Sequence, residues 1–179
     1  MPGESRARSE PHRLHHRQPE REKRRKRGAC IDPPGFDAGK LIKGKKRHVL
    51  VDTQGLLLHG IVTAADVQDR DGGLALLASL FGLFPFLGKL FADSAYQGPI
   101  FHHALANILP NLETQIVKRS DRVTGFVVLP KRWIVERSIA WLNRCRRLAK
   151  DWENLNRNAL GFLKPASIRL MLRKLCNPS

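Results

Sequence analysis

The chain has 179 residues, 32 Lys and Arg against 16 Asp and Glu, and a net charge of +16 with a sequence pI near 10.7. That length is one domain's worth, and 42% hydrophobic residues suffice for a core. No apolar run is long enough to cross a bilayer, and the charged N-terminus is no secretory signal. Three widely spaced cysteines, Cys30, Cys145 and Cys176, make neither a disulfide framework nor a metal knuckle, and read as reduced, intracellular and structural. The charge excess selects a polyanion as partner, nucleic acid first.

Residues 1–27 hold ten Lys/Arg and four Glu, with Met1, Ala7 and Leu14 as their only aliphatic residues. Such a stretch cannot bury enough surface to offset its ordering entropy, so it reads as a disordered basic tail. Its cluster Lys23-Arg24-Arg25-Lys26-Arg27 has two readings, a solvated arm or a nucleic-acid arm. Residues 28–179 keep 22 basic and 12 acidic side chains, so the rest of the chain is basic in its own right. From Gly28 the texture becomes globular. Ile31–Gly35 is a turn-rich lead-in, and Lys40–Arg47 is a basic run. His48–Thr53 and Leu56–Val62, joined by Gln54-Gly55, read as a β-hairpin. Asp66–Gly73 is a polar loop and Leu74–Leu83 a buried helix. Gly88–Asp93 is a short strand ending in a carboxylate, Pro99–Ile108 a helix, and Thr114–Lys118 a strand. Lys131–Lys150 is the longest helix and Asn158–Leu175 the last. This intermixing describes a mixed, layered α/β domain.

Two carboxylates stand out. Asp93 follows an apolar strand, where α/β sheets place their ligands, but it is equally suited to cap the next helix. On the Lys131–Lys150 helix, steps of 100° place Ile134, Trp141, Cys145 and Leu148 on one stripe. Glu136 falls opposite, with Arg132, Asn143, Arg147 and Lys150 around it. That arrangement is either a solvated salt-bridge face, worth a few tenths of a kcal/mol, or a metal ligand beside phosphate-gripping cations.

Three stretches carry a resemblance. They are Gly35–Leu58, Phe91-Ala92-Asp93-Ser94-Ala95-Tyr96-Gln97-Gly98, and Arg132-Trp133-Ile134-Val135-Glu136-Arg137 running on to Glu153. Together, and in this order, they resemble the insertion-sequence-five group of DDE transposases, related to the insertion-sequence-four group, over about residues 28–155. The resemblance implies a ribonuclease-H-like mixed sheet flanked by helices. It implies two Asp and one Glu holding two Mg²⁺ ions, and strand cleavage and transfer at the ends of a mobile DNA element. Hard carboxylate oxygens suit Mg²⁺, and two such ions can stabilise both the attacking and the leaving oxygen of a phosphodiester. Asp93 matches the family's second Asp, Glu136 its Glu, and Arg132 an Arg of the motif around that Glu. Asn143 stands where the family often has a distal cation, with Arg144 next and Arg147 one turn on. The implied DNA contacts are Lys43, Lys45, Lys46, Arg47, Arg132, Arg147 and Lys150. The implied setting is the bacterial cytoplasm, with DNA as partner and a homodimer on the element's ends.

The first Asp has no counterpart. The family carries it in a strand like Ile-Ile-Asp-Ser-Gln-Ser-Val, upstream of the hairpin. Here the upstream residues His15–Glu22 read His-His-Arg-Gln-Pro-Glu-Arg-Glu. Among its synonymous codings that string can be written CAT CAT CGA CAG CCA GAG CGT GAA, whose neighbouring frame reads Ile-Ile-Asp-Ser-Gln-Ser-Val. On this reading residues 1–27 are a frameshifted translation, and the first strand of the sheet is missing. Asp52, beside the hairpin turn, is the nearest substitute and reads first as a turn residue. Asp32 and Asp37 are weaker candidates. Three functions follow: a DDE transposase domain impaired for catalysis, a non-catalytic DNA-binding remnant, or a general basic nucleic-acid-binding protein. The last needs neither Asp93 nor Glu136. Residues 156–179 add a C-terminal helix.

Overall fold

The computed structural model describes residues 31–117 and 130–177, without the side chains of 130–132. The tail of residues 1–27, Cys30, Lys118 and the Arg132 side chain therefore lie outside the described residues. Apolar and β-branched residues flanking the Gln54-Gly55 turn produce the expected hairpin, longer than its apolar stretch alone. Strand β2 spans Ile42–Val51 and β3 spans Leu57–Ala64, antiparallel, with His48 opposite Ile61 and Lys45 opposite Ala64. Most of the basic run is thus the first half of a strand. The lead-in carries a short strand too, β1 (Gly35–Asp37), paired antiparallel with the start of β2.

Helix α1 covers Asp69–Ala78, so the Asp-Arg-Asp-Gly-Gly stretch expected as loop is its first half. Asp69 and Asp71 suit the positive end of the helix dipole. Gly72 and Gly73 are there for close approach: a Cβ on Gly72 would run into the His48 ring, and one on Gly73 into the Tyr96 ring. Strand β4 (Lys89–Ala92) leads through a 3-10 turn, Ser94–Tyr96, into α2 (Pro99–Ile108), and β5 (Glu113–Ile116) pairs parallel with β4. Helix α3 runs Pro130–Asn143, not on to Lys150. Beyond Asn143 the backbone tightens, with Cys145 N–H donating to Leu142 O at 2.9 Å and Leu148 N–H to Cys145 O at 2.8 Å. Cys145 and Leu148 still face the core, but through turns. Helix α4 spans Asn156–Cys176.

The layering is helix, sheet, helix. On one face of the hairpin Leu50 joins a core of Leu77, Leu80, Phe101, Leu105 and Leu112, supplied by α1, α2 and their flanks. On the other, Val49 and Leu57 join Leu142, Leu148, Leu163 and Ala166 from α3, its following turn and α4. Successive residues of β2 serve opposite cores because a strand's side chains alternate. Among the described residues the expected mixed α/β architecture forms, with antiparallel and parallel strands flanked by helices, though the strands do not join in one sheet. There are two sheets, an antiparallel β1-β2-β3 and a parallel β4-β5, and α3 packs against both β2 and β4.

Candidate active site

Asp93 stands directly after β4, at the carboxyl end of the parallel pair, and is half-buried. It also caps: its Oδ1 accepts the Ala95 N–H at 2.9 Å, opening the 3-10 turn. The capping reading of Asp93 is the one the geometry shows, and the cap engages Oδ1 and fixes the side chain at the strand mouth. Beside it sits Tyr96, whose hydroxyl is pushed up to about 12, first by burial and then by the charges of Asp69 and Asp93. Tyr96 belongs to the stretch that carries the resemblance, but nothing in the sequence singled it out as the neighbour of both acids. The one local trace of it is Gly73, whose missing Cβ leaves room for the Tyr96 ring.

Glu136 lies mid-helix on α3 and is exposed. The opposite face anchors the helix to the hairpin turn. Ser138, 1% exposed, donates its hydroxyl to Gly55 O at 2.7 Å. Arg137 donates to Gln54 O at 3.1 Å, and its guanidinium stacks between Trp133 and Trp141, 4.6 and 4.7 Å from the ring centroids. Gly55 has a φ of +85°, and a Cβ there would sit 2.7 Å from Ser138 Oγ. The helix that carries Glu136 also packs on β4, the strand that ends at Asp93.

The remaining acids are built into the scaffold. Asp52 Oδ1 accepts the backbone N–H groups of Gln54 and Leu56, each at 2.8 Å, and so shapes the hairpin turn. Asp32 Oδ2 accepts the Asn156 N–H at 2.6 Å and ties the lead-in to the start of α4. Asp37 accepts the Lys40 N–H and pairs with Lys46 at 2.8 Å. Among the described residues, no three His, Cys, Asp or Glu side chains converge as a metal site would require. Among the described residues, the donor set does not make up the three-carboxylate, two-ion centre that the resemblance implies.

The cations divide in a way the sequence did not suggest. Lys45 donates to Glu153 O and Asn154 O, at 3.2 and 2.7 Å. Lys46 bridges Asp37 and Asp69 and also reaches Val67 O. Burial lowers the Lys46 pKa, but the hydrogen bonds that the ammonium donates to the Asp37 and Asp69 carboxylates outweigh it and hold the pKa above its ordinary value. Arg47 donates to Leu148 O at 2.6 Å, and burial lowers its pKa. These three expected DNA contacts have their head groups bonded inside the fold, while Lys43 is exposed. Arg147 and Lys150 do not ring Glu136 on one helix face, because α3 ends before them. Arg147 pairs with Glu153 at 3.1 Å and lies over the Phe162 ring, and Lys150 lies 6.0 Å from the centre of Trp152.

A layered α/β domain with one acid at the mouth of a parallel strand pair and another on a helix packed against that strand is now defined. The family model described as "Transposase DDE domain" matches residues 9–168, and the chain belongs to that family of DDE-superfamily insertion-sequence transposases. The matched span begins upstream of Gly28 and ends within α4. A Burkholderia cepacia protein titled "Putative transposase for insertion sequence element IS402" is 31% identical over 117 residues, 62% of this chain and 54% of that protein. The chain thus spans about half the length of the curated relative it matches. No solved structure matches it significantly. Among the described residues, no helix is long and apolar enough to cross a membrane.

Proposed function

We propose that this chain is the DNA-binding catalytic-domain segment of an insertion-sequence transposase of the insertion-sequence-five group, with its strand cleavage impaired. The observation that carries the reading is the family match combined with the placement of Asp93 and Glu136, one ending β4 and the other on the helix packed against β4. In this proposal they are the second and third acids of the triad. The first acid belongs on a strand between β2 and β4, the two strands that α3 spans. The division into two sheets supports a place for that strand, and inserting one parallel to β4 would join them as a ribonuclease-H-like sheet. On the frameshift reading, one synonymous codon set for His15–Pro19 yields the strand in its neighbouring frame, and the DNA sequence of the gene tests this directly.

The domain would act on bacterial DNA in the cytoplasm, and two copies would hold the two ends of an element. Mg²⁺ would bind loosely to two carboxylates and would lack the fixed geometry of a two-ion centre. DNA contact would rest on exposed cations such as Lys43, Arg147 and Lys150, with steep weakening by salt and little base discrimination. The test is cleavage and strand transfer by the purified chain with Mg²⁺ or Mn²⁺. The expected result is none. Replacing His15–Pro19 by Ile-Ile-Asp-Ser-Gln, with the following residues in the same frame, is expected to bring cleavage back. Asp93→Ala or Glu136→Ala should abolish it again. Robust cleavage by the chain as it stands, lost on Asp52→Ala, would move the first acid to the hairpin turn and overturn the impairment.

A further inference from the structure

We infer that the loop between α1 and β4 is a contact surface for a second copy of this chain, in addition to any contact made through DNA. Residues 72–88 contain no charged side chain, in a protein where 27% of residues are charged. Within that stretch Phe81 is 78% exposed, Leu83 57% and Phe86 82%. The alternate residues Leu80, Phe84 and Leu87 face inward against Phe101 and Leu105. The loop is held in place by its own backbone, with Leu83 N–H donating to Leu80 O at 2.8 Å and Leu87 N–H to Phe84 O at 3.1 Å. Phe86 also rests edge-on against Phe84, ring centres 6.4 Å apart. Three apolar side chains are therefore presented on a pinned frame, which keeps the ordering cost of contact low.

Charge identifies the occupant. A chain of net +16 repels its own copy over most of its surface. The other exposed apolar stripe, Ile168, Leu172 and Leu175 on α4, is flanked by Lys164, Arg169 and Arg173 on a helix with no acidic residue. Two copies meeting there would face cation to cation. The Phe81–Phe86 loop carries no such penalty, and an uncharged apolar face is complementary to itself across a two-fold axis. The three side chains offer on the order of 400 Å² per copy, at the low end of a specific interface, so the association is weak and concentration-dependent.

The test is sedimentation velocity on the full chain after nuclease treatment, over a hundredfold concentration series and at two salt concentrations. The mass is expected to rise from one chain to two and stop there. Added salt should strengthen the association, because it screens repulsion and leaves apolar contact intact. A dimer bridged by residual nucleic acid would instead weaken with salt. Phe81→Ser and Phe86→Ser should each weaken the dimer about tenfold or more, and Leu172→Ser should leave it unchanged. Circular dichroism confirms that each variant folds, and Leu83→Ser substitutes for either that does not. A single-chain mass throughout, growth beyond two chains, or a dimer indifferent to all three loop variants would overturn the inference. None of these outcomes bears on the cleavage test, which reads a different surface.

Discussion

Gly55→Ala tests how the Glu136 helix is anchored, and a second glycine supplies the control. Gly55 and Gly82 both have left-handed backbones, φ +85° and +75°, so alanine at either carries the same steric cost of about 1–2 kcal/mol. Around Gly82 nothing lies within 4 Å, and the cost stops there. At Gly55 the new methyl would sit 2.7 Å from Ser138 Oγ and 3.4 Å from Arg137 Nη2. The Ser138 hydroxyl must then leave Gly55 O, a buried bond of 2.7 Å whose loss costs about 1–3 kcal/mol more. Gly55→Ala should therefore cost about 2–5 kcal/mol in all, a drop in Tm of roughly 4–20 °C at the slope expected for this size. Urea unfolding followed by tryptophan fluorescence measures both variants, with the midpoint and slope fitted together. Equal losses for the two variants would refute the claim that α3 docks through the Ser138–Gly55 contact.

Lys43→Ala should lower affinity for duplex DNA and reduce the salt slope by about one phosphate contact, whereas Lys45→Ala, which removes bonds to Glu153 O and Asn154 O, should lower thermal stability first. Filter binding at several salt concentrations, beside a melting curve, separates the two. The Asp37 pKa is held below 3.8 by the Lys46 hydrogen bond, and that of Asp69 by Lys46 and Lys40 despite its partial burial. Their stabilisation is present above the unfolded carboxylate pKa and is lost as pH falls through the lowered folded values, so Lys46→Met should shrink the acid limb of a stability–pH curve. Burial holds the His48 pKa below 6.5, so the unfolded chain takes up a proton there that the folded chain refuses. Stability should therefore fall as pH drops through about 6.5, and His48→Gln should flatten that part of the curve, with His59, also lowered by burial, keeping a smaller share.

The elements legible in the sequence were those with local signals. The Gln54-Gly55 turn announced the hairpin, Pro99 opened α2 where a first-turn proline belongs, and the apolar run before Asp93 was a strand. Long-range contacts decided the rest. Gly72-Gly73 reads as a breaker, yet it is helical because two rings from distant segments occupy the space that Cβ atoms would need. The helix periodicity continued formally to Lys150, but turn bonds after Asn143 redirect the chain while Leu148 still reaches the core. The basic run looked like a phosphate-binding strip because charge alone cannot tell a cation aimed at solvent from one aimed at a carbonyl. Lys45 and Arg47 found carbonyls about a hundred residues away, which no local pattern records. Asp93 and Glu136 were legible as positions on their elements. That β4 and α3 pack together could be read only from the fold.

The hairpin's place between two helical layers has a consequence for synthesis. Val49 and Leu57 are covered by residues from Leu142 onward, and Asp32 finds its partner only at Asn156. At about 5–20 residues per second, a ribosome needs on the order of 5–20 seconds after completing the hairpin to make α3, and longer to make α4. Through that interval one apolar face of β2 and β3 stands open while the other is already closing over α1 and α2. The nascent chain is a half-covered sheet with an adhesive side, and its yield in a cell will depend on whatever shields that side until translation ends.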